Sequence, residues 1–450
     1  MLPTVTDLTL LRLKRRLWSH WFGASAPSPF RPPPSVDDAP ALLKRGLKRR
    51  LLRARWASTV IWLLALPFLF ALSKLTSSQA RRRQSLQQKA RRAPQGCSIA
   101  VGNLLVGGTG KTPLVISLAK TLTQSGHKVA VLSRGYKRAT PKVSSPSTLI
   151  IGPDCRDPAT GELLHPDSTG DEPWLIALRA QVPVAVGQDR HLAAQQLSQH
   201  FPQISLWLLD DGLSQTSLYP DIRMLVLDER GMGNGHCLPY GPLRMEWTKQ
   251  LAYAWSRPIH PSENPSEEKS LVLAHPKEQS FEQLFEQKGL PSPYRLATKR
   301  SASCWIHLNV RGNSEPAPTQ GLLQLDEQRL SLQEGCVRFK STEQPILAVA
   351  GVAKPYSFFG SLSGLGIAVA KTLELPNHHP RPMQLIQDWI KKERILDHCI
   401  VLTTEKDAVK LAWQGPEVRE DQTVIEWWAL QLELSVEPSP LEFLDGCKIT

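Results

Sequence analysis

Residues 98–134 read SIAVGNLLVGGTGKTPLVISLAKTLTQSGHKVAVLSR. Ser98–Val101 has the pattern of a short buried strand, a glycine-rich turn follows, the next residues repeat with helical period, and Val129–Leu132 forms a second strand. A turn of this kind at a helix N-terminus aims several backbone N–H groups at one point, which suits a phosphate. Lys111 adds a mobile positive charge, and the Thr112 hydroxyl is placed to reach a magnesium ion. The pattern G-x-x-x-x-G-K-[ST] fails at its first position, where Leu105 stands, but Gly107, Gly108 and Gly110 crowd three glycines ahead of the lysine. The alternative is a glycine-rich strand–helix turn that happens to precede Lys-Thr. The order strand, glycines, Lys-Thr, helix favours nucleotide binding, and the expected phosphate contacts are Gly107, Gly108, Thr109, Gly110, Lys111, Thr112 and Pro113.

Outward from this loop, 450 residues allow two or three domains with real cores. The net charge of +13 is unevenly spread: residues 1–95 hold 19 Lys/Arg against 3 Asp/Glu, a surplus of 16, and the remainder carries −3. The basicity therefore belongs to the N-terminal segment and points to an anionic membrane surface, not to a nucleic-acid groove. Seven dispersed cysteines without C-x-x-C spacing, and the absence of H-E-x-x-H, fit reduced thiols and argue against a zinc site. Residues 1–55 are expected to be a basic, proline-rich, poorly ordered extension. The apolar run Trp56–Ser73 would span about 27 Å as a helix, slightly short of a bilayer core, and contains Pro67. With basic residues on both sides it reads as a membrane-associated helix, spanning or lying in the inner leaflet, and residues 56–95 as helix plus basic linker; a buried core helix is the alternative.

Residues 96–260 alternate strand and helix, with strands at Ile99–Val101, Val129–Leu132, Val182–Val186, Leu206–Leu209 and Met224–Leu227 and helices after Thr112, Asp171 and Asp189. This predicts an α/β fold of the P-loop NTPase type: a mostly parallel sheet, helices on both faces, ligands at the carboxyl ends of the strands. Residues 261–344 are expected to be a linker or irregular region. Residues 345–415 read as a smaller α/β C-terminal domain, whose Thr404–Asp407 spacing matches a capping box, and residues 416–450 as a strand and tail. Asp210 and Asp211 end an apolar strand, the position from which phosphate-loop enzymes hold magnesium. Asp171 and Glu172 open a helix, where the plain role is to answer its macrodipole. GNG at 233–235, with Asn234, and PYGPLR ending in Arg244 form a turn-rich loop that serves as connection or as a substrate loop.

VGNLLVGGTGKTPLV, LSRGYKR, GDEPWLIALR, VGQDR, DDGLSQTSLYPD, RGMGNGHCLPYGPLR, AGVAKP, NHHP and VLTTEKDAVKL occur in an order that resembles the tetraacyldisaccharide 4′-kinase family, over roughly residues 56–415. The resemblance implies an enzyme that uses ATP and Mg2+ to phosphorylate the 4′-hydroxyl of an acylated glucosamine disaccharide 1-phosphate, making lipid IVA in lipid A biosynthesis. It also implies association with the cytoplasmic face of the inner membrane through the N-terminal helix. The partners it implies are the lipid and the membrane surface, with no nucleic acid and no obligate protein partner. Carried over by position, Lys111 and Thr112 hold phosphates and magnesium, Asp210 and Asp211 match the family's acidic pair, and Asp171 looks like its catalytic base with Glu172 beside it. His378 resembles the histidine that pairs with that base. Arg134, Asn234 and Arg244 are candidate substrate contacts. The chain departs from the family at Leu213–Ser217, where an aromatic, Gln-His and arginines are usual, at Asn377 for Asp, and at Met245 for Glu. The competing readings are a membrane-tethered ATPase switch and a non-catalytic paralogue.

Overall fold

The computed structural model describes residues 5–23, 41–135, 148–228, 230–245, 271–275, 294–308, 329–376, 382–393, 398–414, 424–437, 439 and 442. Two helices, α1 (Val5–Phe22) and α2 (Ala41–Gln88), precede a sheet. The first half of the sheet is built from β1 (Cys97–Gly102), α3 (Lys111–Gln124), β2 (Val129–Ser133), β3 (Thr148–Ile151), α4 (Pro166–Thr169), α5 (Asp171–Ala180), β4 (Val184–Gly187), α6 (Arg190–His200), β5 (Leu206–Asp210) and β6 (Ile222–Val226). There follow β7 (Leu271–His275), β8 (Tyr294–Leu308), β9 (Arg329–Ser331), α7 (Leu332–Ser341), β10 (Ile346–Ala350), α8 (Pro355–Gly364), β11 (Lys371–Glu374), α9 (Pro382–Lys392), β12 (His398–Thr404), α10 (Glu405–Gln414) and β13 (Val424–Glu437).

Among the described residues these strands form one sheet in the order β11-β10-β12-β13-β8-β7-β6-β1-β5-β2-β4-β3, with β9 on β8. Neighbours from β8 through β4 run parallel, as do those from β13 to β11. The seam between the halves is antiparallel, β8 against β13, from Leu308↔Trp427 to Ala297↔Glu437. β7 pairs with the start of β8 (Tyr294–Ala297), whereas β12 pairs with the first half of β13, which lies opposite the end of β8. The long β8–β13 ribbon therefore leaves the first half in the direction of its strands' carboxyl ends and meets a second half running back. The carboxyl edges of both halves face each other, and loops that bind ligands in such sheets converge from two sides.

The strands alternate their contacts between two apolar faces, as period-2 geometry requires. Ile99, Val101, Val131 and Leu208 pack with Leu114, Leu118 and Trp174 of α3 and α5. Ala100, Leu132, Trp207 and Leu209 pack with Ala193 and Leu197 of α6. The second half repeats the plan with Val349, Val401 and Ile386 on one face and Ala348, Leu402 and Phe358 on the other.

Three expectations are corrected. The stretch 261–344 was expected to be irregular but supplies β7, β8, β9 and α7, whose Ser331–Glu334 capping box starts the helix. The C-terminal unit is not a separate small sheet, because β13, in the stretch 416–450 expected to be a strand and tail, runs to Glu437 and joins it to β8. Within residues 1–55, expected as a poorly ordered extension, α1 and the start of α2 are helical, while 1–4 and the proline-rich 24–40 lie outside the described residues. The prolines at 27–34 dominated that reading, yet Trp18, His20, Trp21 and Phe22 give α1 an aromatic face that docks on α2 and on the loop after β6. Helix α2 runs without a break through Pro67, and only 11% of its most apolar window is buried, which excludes the core-helix alternative.

Candidate active site

The phosphate loop lies between β1 and α3. Gly107 and Gly110 have φ +94°, a left-handed conformation that glycine adopts without a Cβ penalty. Gly110 caps α3, and Pro113 sits in its first turn, where a missing N–H costs nothing. Asn103 braces the loop from inside: its Nδ2 donates to Thr109 Oγ1 at 2.9 Å and to the Gly107 carbonyl at 3.4 Å, and its Oδ1 accepts from Lys111 Nζ at 3.0 Å. Lys111 is thus held over the glycines.

The acidic pair splits into two roles. Asp210 ends β5 and is buried; Ser133 Oγ donates to its Oδ2 at 3.5 Å, and its Oδ1 has no hydrogen-bond partner. Burial pushes its carboxyl up to about 7, with Glu172 and Asp211 adding to the rise and Lys111 and Arg190 opposing it. Asp211, at φ +52°, turns the other way and pairs with Lys111 at 3.4 Å and Arg244 at 3.0 Å. Burial would raise its carboxyl, but those two cations outweigh it and hold it below the usual range. Expected as metal ligands together, the two differ because both oxygens of Asp211 already face cations. Arg190, the first residue of α6, is buried beside them; desolvation lowers its guanidinium to about 10 against the pull of both carboxylates. Arg134, which also acts electrostatically on Arg190, is exposed beyond β2. The divergent stretch after the pair is structural here. Leu213 packs over Gly102, Gln215 Oε1 accepts from the backbone of Ser217 and Leu218, and Ser217 Oγ accepts from the Arg190 N–H.

Across the cleft, α5 meets the second half. Asp171 opens α5 behind Gly170 (φ +91°) and is buried, its Oδ2 lying 3.3 Å from Lys410 Nζ. Glu172 pairs with Lys406 at 2.7 Å, and Arg179 with Glu405. All three partners lie on α10, so the TTEKDAVKL motif is a clamp on α5. The Thr404–Asp407 pair caps α10 as expected, Thr404 Oγ1 accepting from the Asp407 N–H at 3.3 Å, and the Asp407 carboxylate accepts from the Thr404 hydroxyl at 2.6 Å and from the Gly351 N–H at 2.9 Å, tying the end of β10 to the start of α10. Asp171, Gly351, Leu375, Pro376, Pro382, Lys406, Asp407 and Lys410 line one cleft. His378 lies outside the described residues, as does Asn377. Asn234, expected to face substrate, instead pins its own loop, donating to the Tyr240 carbonyl at 3.1 Å and accepting from His236 N–H at 3.2 Å.

Sequence reading missed three cations over the loop. Arg230 binds Asp228 and donates to the Gly108 carbonyl at 3.3 Å, and Lys354 reaches Asp228 at 2.9 Å. Arg300 of β8 lies against Gly110, so close that a Cβ there would clash with its guanidinium. Asp228 could have been found as a third carboxylate after an apolar strand, and Lys354 lies in the AGVAKP motif. Arg300 had no local signal, because only strand pairing brings it there.

Comparison with known proteins matches this architecture. The family model described as Tetraacyldisaccharide-1-P 4'-kinase matches residues 61–447, from the apolar helix to the last strand and beyond. The chain belongs to that family. A Tetraacyldisaccharide 4'-kinase of Polaromonas naphthalenivorans is 32% identical over 396 residues, covering 88% of this chain and 92% of that protein. One from Dechloromonas aromatica is 30% identical over 406 residues, covering 90% and 97%. A crystal structure of LpxK from Aquifex aeolicus in complex with ATP has a TM-score of 0.56 at 24% identity, covering 86% of this chain and 98% of that one, and shows the same fold. Within the family the glycines, Lys111 and the α5–α10 clamp lie inside the matched span, whereas α1 precedes it.

Proposed function

We propose that this chain is a tetraacyldisaccharide 4′-kinase that transfers the γ-phosphate of ATP to the 4′-hydroxyl of a tetraacylated glucosamine disaccharide 1-phosphate, giving lipid IVA in lipid A biosynthesis. The observation that carries the reading is the braced phosphate loop and the buried Asp171 carboxylate of the first half, at a cleft that Lys406 and Lys410 of the second half close, in a chain of this family. Phosphoryl transfer depends mostly on in-line positioning and charge neutralisation. The N–H groups of the Gly107–Thr112 loop and Lys111 cradle the nucleotide phosphates, and Arg230 and Arg300 add positive charge around them. Asp211 and Asn103 keep Lys111 aimed.

The residues present fit a divalent cation. The buried, unpartnered Oδ1 of Asp210 and the Thr112 hydroxyl supply hard oxygen donors, and no protein-only group of three or more His, Cys, Asp and Glu exists among the described residues. That chemistry suits Mg2+, which keeps waters and phosphate oxygens as its remaining ligands. When bound, the ion neutralises charge on the transferring phosphate. Asp171 accepts the proton of the 4′-hydroxyl as the sugar oxygen forms its bond to the γ-phosphorus and the bond to the β-phosphate oxygen breaks, releasing ADP. Lys410 and the α5 N-terminus hold Asp171 in place. His378, two residues after the cleft-lining Pro376, is the proposed partner of that base. Arg244, paired with Asp211, together with Glu172 and Arg134, supplies the proposed contacts to the substrate. Helix α2 rests on the cytoplasmic face of the inner membrane, which delivers the lipid.

The test is product analysis: purified protein, ATP–Mg2+ and the detergent-dispersed disaccharide 1-phosphate should yield a bisphosphate with the new phosphate at the 4′ position by NMR. Phosphate at another hydroxyl, or ADP release indifferent to lipid, contradicts the proposal.

A further inference from the structure

Helices α1 and α2 run side by side in the same direction, with Arg12 level with Arg55, Arg16 donating to Thr59 Oγ1 at 2.7 Å, and His20 edge-on to Trp62. The groove between them is a cavity of about 400 Å³ lined by Arg12, Arg15, Arg16, Ser19, His20 and Trp62. Among the described residues of the two helices its charge is one-sided: α2 contains no acidic residue in 48, and α1 has only Asp7. Arg12 carries a buried Nε with no hydrogen-bond partner, as His20 does at Nε2. Burial, then repulsion from Arg55, Arg16 and Arg15, lowers the pKa of Arg12. The Arg12 and Arg16 guanidiniums oppose one another at this half-buried groove, an anion between them would relieve that repulsion, and phosphate oxygens match their fork geometry. On the adjoining face of α2, Trp56, Val60, Leu63, Leu64 and Phe68 are exposed, an apolar track beginning beside the groove.

We propose that the α1–α2 groove binds one anionic glycerophospholipid, its phosphate held by Arg12 and Arg16 and its acyl chains lying along Trp56, Leu63 and Leu64. The site is separate from the phosphate loop and involves a helix ahead of the family-matched residues. A general affinity for anionic membranes needs only net charge, whereas this groove discriminates between equal charges at different positions.

Native mass spectrometry of the full chain in detergent, titrated with phosphatidylglycerol or with phosphatidylcholine of the same acyl chains, tests it without reference to catalysis. Wild type should retain one phosphatidylglycerol in preference to phosphatidylcholine. R12Q/R16Q should weaken that first event by roughly tenfold or more, the scale of lost charge-assisted contacts, whereas R81Q/R82Q, which removes the same charge elsewhere on α2, should leave it unchanged. R12K/R16K, which keeps charge and helix packing but not the fork, should bind with intermediate strength. Equal losses in R12Q/R16Q and R81Q/R82Q, no preference in wild type, or saturation by inorganic phosphate with no lipid retained would each overturn the proposal.

Discussion

At the scale of single residues, burial decides which of two adjacent carboxylates can do which task. Asp210, pushed up to about 7 from an ordinary 3.8, binds its proton more tightly folded than unfolded. It therefore favours folding at acid pH, and that contribution is lost as pH rises from near 4 through 7. Asp210→Asn removes this titration. Well above pH 7, and without nucleotide or metal, the variant should melt at a higher temperature than wild type, while phosphoryl transfer falls by about 10²–10³-fold. An unchanged melting temperature would mean Lys111 and Arg190 already neutralise the charge. Gly110 makes a second residue-scale case, since any Cβ meets both a φ of +94° and the Arg300 guanidinium. Gly110→Ala should cost about 1–2 kcal/mol in backbone strain and weaken ATP binding in calorimetry; wild-type affinity would show that Arg300 does not press on the loop. The glycines, Lys111 and Asp210 were legible in sequence because each sits at a strand-to-helix junction, whereas Asp171, between α4 and α5, was singled out by the family resemblance. The separation of Asp210 from Asp211 was not, because it arises from a left-handed backbone at Asp211 and from two cations distant in sequence.

At the scale of elements, the contact between α5 and α10 holds the halves together. Arg179 and Glu405 are largely buried, so removing one partner strands the other charge. Glu405→Ala should destabilise the fold by about 3–5 kcal/mol, read as a lower urea midpoint, and Glu405→Gln, which keeps an acceptor, by less. Equal, small losses would make the pair an ordinary surface interaction. Elements flanked by glycines and caps were readable: β1–α3, α5 and α6 fall where the sequence pattern placed them, to within a few residues, and 345–415 alternates strand and helix as an α/β unit should. β7 and β8 were not, because their stability comes from partners far along the chain, and YRLATKRSASCWIHL lacks the unbroken apolar pattern of a central strand. Helix α1 was hidden by the prolines that follow it.

At the scale of the whole molecule, the antiparallel seam turns two parallel sheets so that their ligand-binding edges oppose. The phosphate loop, Asp210 and Asp171 come from one half, and Ala353, Lys354, Lys406 and Lys410 from the other. A kinase built this way gathers nucleotide on one side and completes the acceptor site by contact with the other, which excludes water from the transferring phosphate. Under the proposed function, the basic, apolar N-terminal pair of helices would keep this cleft near a membrane-embedded acceptor. The most direct measurement is transfer of labelled γ-phosphate from ATP–Mg2+ to the detergent-dispersed disaccharide 1-phosphate, with ATP binding followed in parallel, for wild type, Lys111→Ala and Asp171→Ala. Lipid-dependent product from wild type, loss of both transfer and tight ATP binding in Lys111→Ala, and loss of transfer with ATP binding retained in Asp171→Ala are the predicted results. ATP consumed equally with and without lipid, or wild-type transfer by Asp171→Ala, would contradict the account.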